Sequence, residues 1–88
     1  ALEWGPVTRL ADDAALAEEA GQLLDRLSAG PTRSYGMIRR LARGALSLSF
    51  EEALAAEREG QRTAGGTQDF REGAAAFRER RPPAFEGR

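Results

Sequence analysis

Apolar residues recur along this chain at intervals of three and four, the period of an amphipathic helix, and glycine and proline divide the pattern into four helical segments. The first covers about 13–28, where Leu16, Ala20, Leu23, Leu24 and Leu27 share one face and Glu18, Gln22 and Asp25 lie away from it. Asp12 is placed to cap this helix, and its early acids suit the positive end of the helix dipole. Gly30-Pro31 closes it and opens the second, about 31–46, with Pro31 at a first helical position and Tyr35, Ile38, Leu41, Ala42 and Ala45 on one face. The third, about 50–63, starts at Ser49-Phe50-Glu51-Glu52, which has capping-box spacing, presents Phe50, Ala53 and Leu54, and breaks at Gly65-Gly66. Thr67 heads the fourth, about 68–80, with Phe70, Ala74 and Phe77 on its inner face. Gly73 in its middle costs on the order of 1 kcal/mol against alanine, a cost tolerated where another backbone comes close. Pro82-Pro83 ends it in an extended tail that contains Phe85.

The opening reads differently. Ala1 to Trp4 look like the tail of a helix stopped by Gly5 and Pro6, followed by an extended run from Val7 to Leu10. A lone strand needs a partner, and this one points to a partner outside the sequence. The fold class is therefore all-α: four amphipathic helices behind a short N-terminal extended segment.

At 88 residues the chain is at most one domain, and short chains bury a modest fraction of their surface. Its large apolar side chains are few, while alanine supplies much of the 41% apolar content. Such a domain completes its core against something else. Cysteine and histidine are both absent, which removes disulfides, thiolate chemistry, the commonest general base and the usual zinc ligand. No metal site is expected. No run reaches the roughly 20 apolar residues of a membrane span and no signal-peptide pattern opens the chain, so a cytoplasmic protein is expected.

Net charge is −1, so no bulk attraction to nucleic acid is expected. The charges are nevertheless segregated. Six acids stand against two arginines in 1–30, and four arginines stand alone in 31–48. All 13 basic residues are arginine, which genomic base composition explains more simply than a demand for guanidinium. A short connection favours an antiparallel pair of the first two helices, with Arg39, Arg40 and Arg43 as a solvated face opposite the acids. No aromatic residue interleaves with them as a nucleic-acid stacking surface needs. Glu57 reads as a partly exposed acid paired with an arginine; a general acid or base wants a second titratable group nearby, and this segment offers none. No phosphate-binding glycine loop, nucleophile elbow or calcium loop occurs. The residues alone favour a binding or structural role.

One long ordered run goes further. Asp69 to Phe85, read as D-F-R-E-G-A-A-A-F-R-E-R-R-P-P-A-F, resembles the C-terminal signature of the crotonase (enoyl-CoA hydratase/isomerase) superfamily, D-F-x-E-G-x-x-A-F-x-E-K-R-x-P-x-F. Ala1 to Thr8 resemble the family's segment where a helix leads into the last core strand, and Ala29-Gly30-Pro31-Thr32 with Arg39 resemble its proline-led helix. Gly30-Pro31-Thr32 and Gln61 to Gly65 are similar to the epoxyphenylacetyl-CoA isomerase branch of phenylacetate degradation. Pro6 departs from a usual leucine, and Arg39 and Arg80 stand where lysine is common.

The resemblance implies that residues 1–10 are the end of an enzyme core (helix end and edge strand) and 11–88 a C-terminal helical assembly region. The family's oxyanion hole and acid/base glutamates lie upstream, and no residue here matches them. The implied partners are a missing N-terminal crotonase core and further copies of the chain, in a trimer or hexamer. A coenzyme A thioester is the implied substrate of the complete enzyme, and no other cofactor is expected. Phe77 and Arg80 match positions that in several family members meet the adenosine end of coenzyme A, Phe77 flanking adenine and Arg80 bonding the 3′-phosphate. Three residues apart on one helix, they would share a surface. The alternative is an independent helical interaction module descended from such an enzyme.

Overall fold

The computed structural model describes residues 2–88. Four α-helices follow one another: α1 (Leu16–Ser28), α2 (Thr32–Gly44), α3 (Phe50–Gly65) and α4 (Gln68–Glu79). Single turns of 3-10 helix at Asp13–Ala15 and Ala45–Ser47 lead into α1 and out of α2. Residues 2–12 hold neither helix nor strand. Leu2 to Gly5 form a turn closed by the Gly5 N–H on the Leu2 carbonyl (3.2 Å), and Val7 to Asp12 run on without a strand partner among the described residues. Ala1, part of the predicted helix end, lies outside the described residues.

Local chemistry places the helix boundaries. Ser49 and Glu52 form a reciprocal capping box: the Glu52 N–H donates to Ser49 Oγ (3.2 Å) and the Ser49 N–H to Glu52 Oε2 (2.8 Å). Thr67 caps α4 by accepting the Phe70 N–H (3.1 Å), while its own hydroxyl donates to the Ala64 carbonyl (2.7 Å). Only Gly66 and Thr67 therefore separate α3 from α4. Asp12 stands at the predicted cap position but caps a 3-10 turn through its carbonyl alone; its side chain makes no cap bond. Pro31 sits one position earlier than predicted, as the N-cap of α2, where its carbonyl accepts the Tyr35 N–H (3.1 Å).

The expected antiparallel pairing of the first two helices is not formed. α2 packs with α3 instead, and α1 keeps mainly to its own leading turn. Residue size is the reason. α3 offers Ala53, Ala56 and Gly60 to the α2 side, so backbones approach closely enough that a Cβ on Gly60 would lie 3.3 Å from Leu41 Cδ1. The leucine-rich face of α1 allows no such approach. The elbow is also filled: Gly30 is buried, and a Cβ there would overlap the Tyr35 ring. The acids of α1 consequently do not face Arg39, Arg40 and Arg43, which form no ion pair among the described residues.

Little of the chain is inside. Met37 and Ala76 are its buried apolar residues, joined by Thr67 and Asp69. The apolar stripes predicted as inward faces are largely exposed, at Leu16 and Leu24 of α1, Ile38 of α2, Phe50 of α3 and Phe70 of α4. The chain exposes 7491 Å², roughly half as much again as the about 5,000 Å² expected of a compact monomer of its mass. Its radius of gyration, 16.3 Å, exceeds the about 12 Å expected for its length. The helices are formed and their faces are apolar, but the layer that would cover those faces is not in this chain.

The cap geometry separates two substitutions that look alike in sequence. Ser49→Ala should cost about 1 kcal/mol in chemical denaturation of the complete protein, since it strips the α3 cap. Asp12→Ala should cost a few tenths at most; a loss as large as that of Ser49→Ala would show that Asp12 caps α1 after all.

Candidate functional site

The most organised part of the molecule is the return of the C-terminal tail along α4. Asp69 and Glu72, three residues apart and hence neighbours on one helix face, receive it. Asp69 Oδ1 accepts the Glu86 N–H (2.8 Å) and Oδ2 the Gly87 N–H (2.9 Å), while the Asp69 N–H donates to the Arg88 carbonyl (2.8 Å). Glu72 takes Arg81 in a two-point grip, Nη1 to Oε1 (2.6 Å) and Nη2 to Oε2 (3.0 Å), and also accepts the Ala84 N–H (2.8 Å). Arg81 Nε donates to Glu79 (2.6 Å). Between these anchors Phe85 rests on Gly73, whose Cβ position lies 3.5 Å from the ring. The close neighbour expected at Gly73 is thus a tail side chain and not a backbone.

Gly87 completes the closure at φ 76°, a left-handed conformation that suits glycine, and a side chain there would meet Thr32 Oγ1 at the start of α2. The tail therefore runs along α4 and passes close to the head of α2. Several roles in the signature run follow from this: acids to hold the tail, a glycine for the ring, Ala76 (1% exposed) for the inner face, and Phe85 as the plug.

The chain reverses at Arg80. This residue has φ 54° and ψ 41°, the only positive φ of a non-glycine among the described residues. The Arg81 N–H bonds the Ala76 carbonyl (3.0 Å) and the Arg80 N–H the Phe77 carbonyl (3.3 Å), the paired bonds of a Schellman end. Glycine is usual at this position, and a side chain costs roughly 1–2 kcal/mol there.

The two residues predicted to meet coenzyme A are placed unevenly. Phe77 is 86% exposed on the outward face with Phe70 and Ala74; the inner face is Asp69, Gly73 and Ala76. Arg80 is exposed but lies past the last helical residue, so the helical three-residue spacing does not set its direction relative to Phe77. Its guanidinium makes no hydrogen bond or ion pair among the described residues. Glu57, predicted to pair with an arginine, has no such partner either. It lines an open groove of about 540 Å³ between α2 and α3, among Ile38, Leu41, Ala53 and Gly60. Sequence reasoning assigned no task to Asp69, Glu72 or Arg81. Their partners lie too far along the chain for a local pattern to show, and only the family-like run marked these positions.

The family model for enoyl-CoA hydratase/isomerase matches residues 1–88, so the chain belongs to the enoyl-CoA hydratase/isomerase family, within the crotonase superfamily. It is 39% identical over its whole length to the 1,2-epoxyphenylacetyl-CoA isomerase of Escherichia coli K12, covering 34% of that protein. It is 31% identical, again over its whole length and 34% of the relative, to the trans-2-decenoyl-[acyl-carrier-protein] isomerase of Streptococcus mutans. In structure it superposes on an enoyl-CoA hydratase subunit I from Geobacillus kaustophilus with a TM-score of 0.89 and 30% identity, covering 99% of this chain and 34% of that one. The chain thus spans about a third of the length of the relatives it matches.

The clasp has an electrostatic signature. The Arg81 guanidinium, followed by the Ala84 N–H, holds the Glu72 carboxyl down from 4.5 to about 2, and the same contact pushes Arg81 up. A carboxyl depressed in the folded state stabilises it above the ordinary value, and that contribution is lost as pH falls from 4.5 through 2. Carbon-detected titration of Glu72 in the complete protein should give a midpoint near 2, with the Ala84 amide resonance moving at the same pH. A midpoint at or above 4.5 would show that the tail is not clasped in solution.

Proposed function

We propose that this chain is the C-terminal helical region of an acyl-CoA hydratase/isomerase, which covers and assembles that enzyme and supplies no catalytic residue. The supporting observation is the outward turn of its apolar faces. Trp4 is 88% exposed, Leu46 99% and Phe77 86%, over a surface far larger than a self-contained domain of this size carries. Large apolar side chains left this exposed are typical of surfaces that another element covers. The remaining two thirds of the enzyme is the first partner, with residues 1–10 leading out of it, and further copies in a trimer or hexamer are the second. The same surface counts against an independent interaction module, which would have to hide these faces by itself.

The chemistry belongs to the complete enzyme: an oxyanion hole stabilising a thioester enolate while carboxylates move protons. Identity of 39% over all 88 residues to the Escherichia coli protein supports the epoxyphenylacetyl-CoA isomerase branch. Cytoplasmic location accords with acyl-CoA as substrate, and no described helix is long and apolar enough to cross a membrane. Phe77 offers adenine an apolar flank and Arg80 offers the 3′-phosphate a charge-assisted hydrogen bond. The free guanidinium of Arg80, at a position where glycine would be less strained, supports that role.

Two measurements test the reading. The isolated 88 residues should show no turnover of crotonyl-CoA and should self-associate in sedimentation; a cooperatively melting monomer at high concentration would argue against the assembly role. In the complete protein, Arg80→Ala should weaken acyl-CoA binding by roughly 1–2 kcal/mol and leave the matching acyl-pantetheine almost unaffected. Equal losses for both would place Arg80 in the fold and away from the phosphate.

A further inference from the structure

Arg80 combines a strained backbone with a side chain left free. Its backbone occupies a left-handed conformation that glycine would adopt with less strain, yet its side chain makes no hydrogen bond or ion pair within the described chain. A costly conformation of this kind persists only where the surroundings over-determine it. Here the surroundings are identifiable. Pro82 biases Arg81 away from helix, so α4 has to end. Ending the helix does not by itself fix how Arg80 is turned. The paired helix-end bonds, Arg80 N–H to Phe77 and Arg81 N–H to Ala76, set its left-handed turn, and the residues beyond hold that turn in place: Arg81 is gripped at two points by Glu72, and the Ala84 N–H is brought onto the same carboxylate. The chain leaves α4 at Arg80 and is fastened back along α4 immediately afterwards, which leaves Arg80 at the apex of the reversal.

We infer that Glu72 and Arg81 are positioning residues for Arg80: their clasp fixes the left-handed apex and so aims the Arg80 guanidinium outward at an anionic ligand group. This rests on the reading of Arg80 as a contact to the coenzyme A phosphate. The two arginines then divide the work. Arg81 is neutralised by Glu72 and Glu79 and is structural, while Arg80 is held clear of both carboxylates and keeps its charge for a ligand.

The test uses the complete protein and two probes, coenzyme A and dephospho-coenzyme A, which differ only in the 3′-phosphate. Dissociation constants are measured by calorimetry for wild type, Arg80→Ala, Glu72→Ala and the double variant. Alanine is the best helix former, so Glu72→Ala leaves α4 itself intact. Arg80→Ala should weaken coenzyme A about tenfold, as expected for a charged hydrogen bond, and leave the dephospho form unchanged. Glu72→Ala should weaken coenzyme A several-fold with the same selectivity, and the double variant should be no weaker than Arg80→Ala, because the clasp acts through Arg80. Multiplying losses in the double variant, or equal losses for both probes, would overturn the positioning role. Full selectivity at Arg80→Ala with no effect of Glu72→Ala would overturn it while sparing the phosphate contact. No selectivity at Arg80→Ala would overturn both. Should Glu72→Ala fail to fold, Arg81→Lys keeps the charge but loses the two-point grip. It should give a smaller loss for coenzyme A alone, and an unchanged constant would reject the inference.

Discussion

The structure depends on a buried carboxylate. Asp69, in the first turn of α4, is 3% exposed, and a carboxylate withdrawn from water costs several kcal/mol unless its oxygens are paired. Both are, by successive backbone N–H groups of Glu86 and Gly87, while its own N–H is used by Arg88. Helix and tail are therefore one construction. Remove the tail, and Asp69 is left unpaired, Phe85 leaves Gly73, and Glu72 loses its arginine. No buried side-chain polar atom lacks a partner among the described residues.

This arrangement inverts the usual division of a small domain. Polar and small groups, namely Thr67, Asp69, Gly73 and Ala76, face inward where the chain meets itself, and the phenylalanines of α4 face outward. Hydrogen bonds confer geometry but little net stability, about 1 kcal/mol each. Apolar burial, which contributes more in most folds, is left to surfaces that this chain does not cover for itself. A local clasp can thus shape the segment in detail while its apolar faces stay open.

Legibility in the sequence followed the range of the interactions. The capping box at Ser49 and the cap at Thr67 were readable because each closes within three residues. The four helices were readable because periodicity survives any partner. Which face is buried was not. Phe70, Ala74 and Phe77 form an apolar stripe on α4, but a stripe shows only that something apolar belongs there, and here Phe70 and Phe77 stay largely exposed. The pairing of α2 with α3 turned on close approach at Ala56 and Gly60, a matter of volume that hydropathy does not register. The tasks of Asp69 and Glu72 depend on partners 9 to 18 positions away, beyond any local pattern. Only the resemblance of the whole run marked them.

The arginine-only composition now divides into two cases. Arg33, Arg39, Arg40 and Arg43 form no ion pair among the described residues, and for them lysine would serve the fold equally well. Arg81 is different. It reaches both oxygens of Glu72 with parallel N–H groups and still has Nε for Glu79. An ammonium is a point charge on a flexible stem and cannot span a carboxylate in that way. Arg62 also grips Glu59 at two points, but through Nε and Nη2 (2.9 and 2.7 Å) and on an open helix face where such pairs contribute little. At Arg81 the two-point grip also fixes the path of the chain. A compositional bias has thus supplied many guanidinium groups, and the fold uses the fork of one of them to set where its neighbour points.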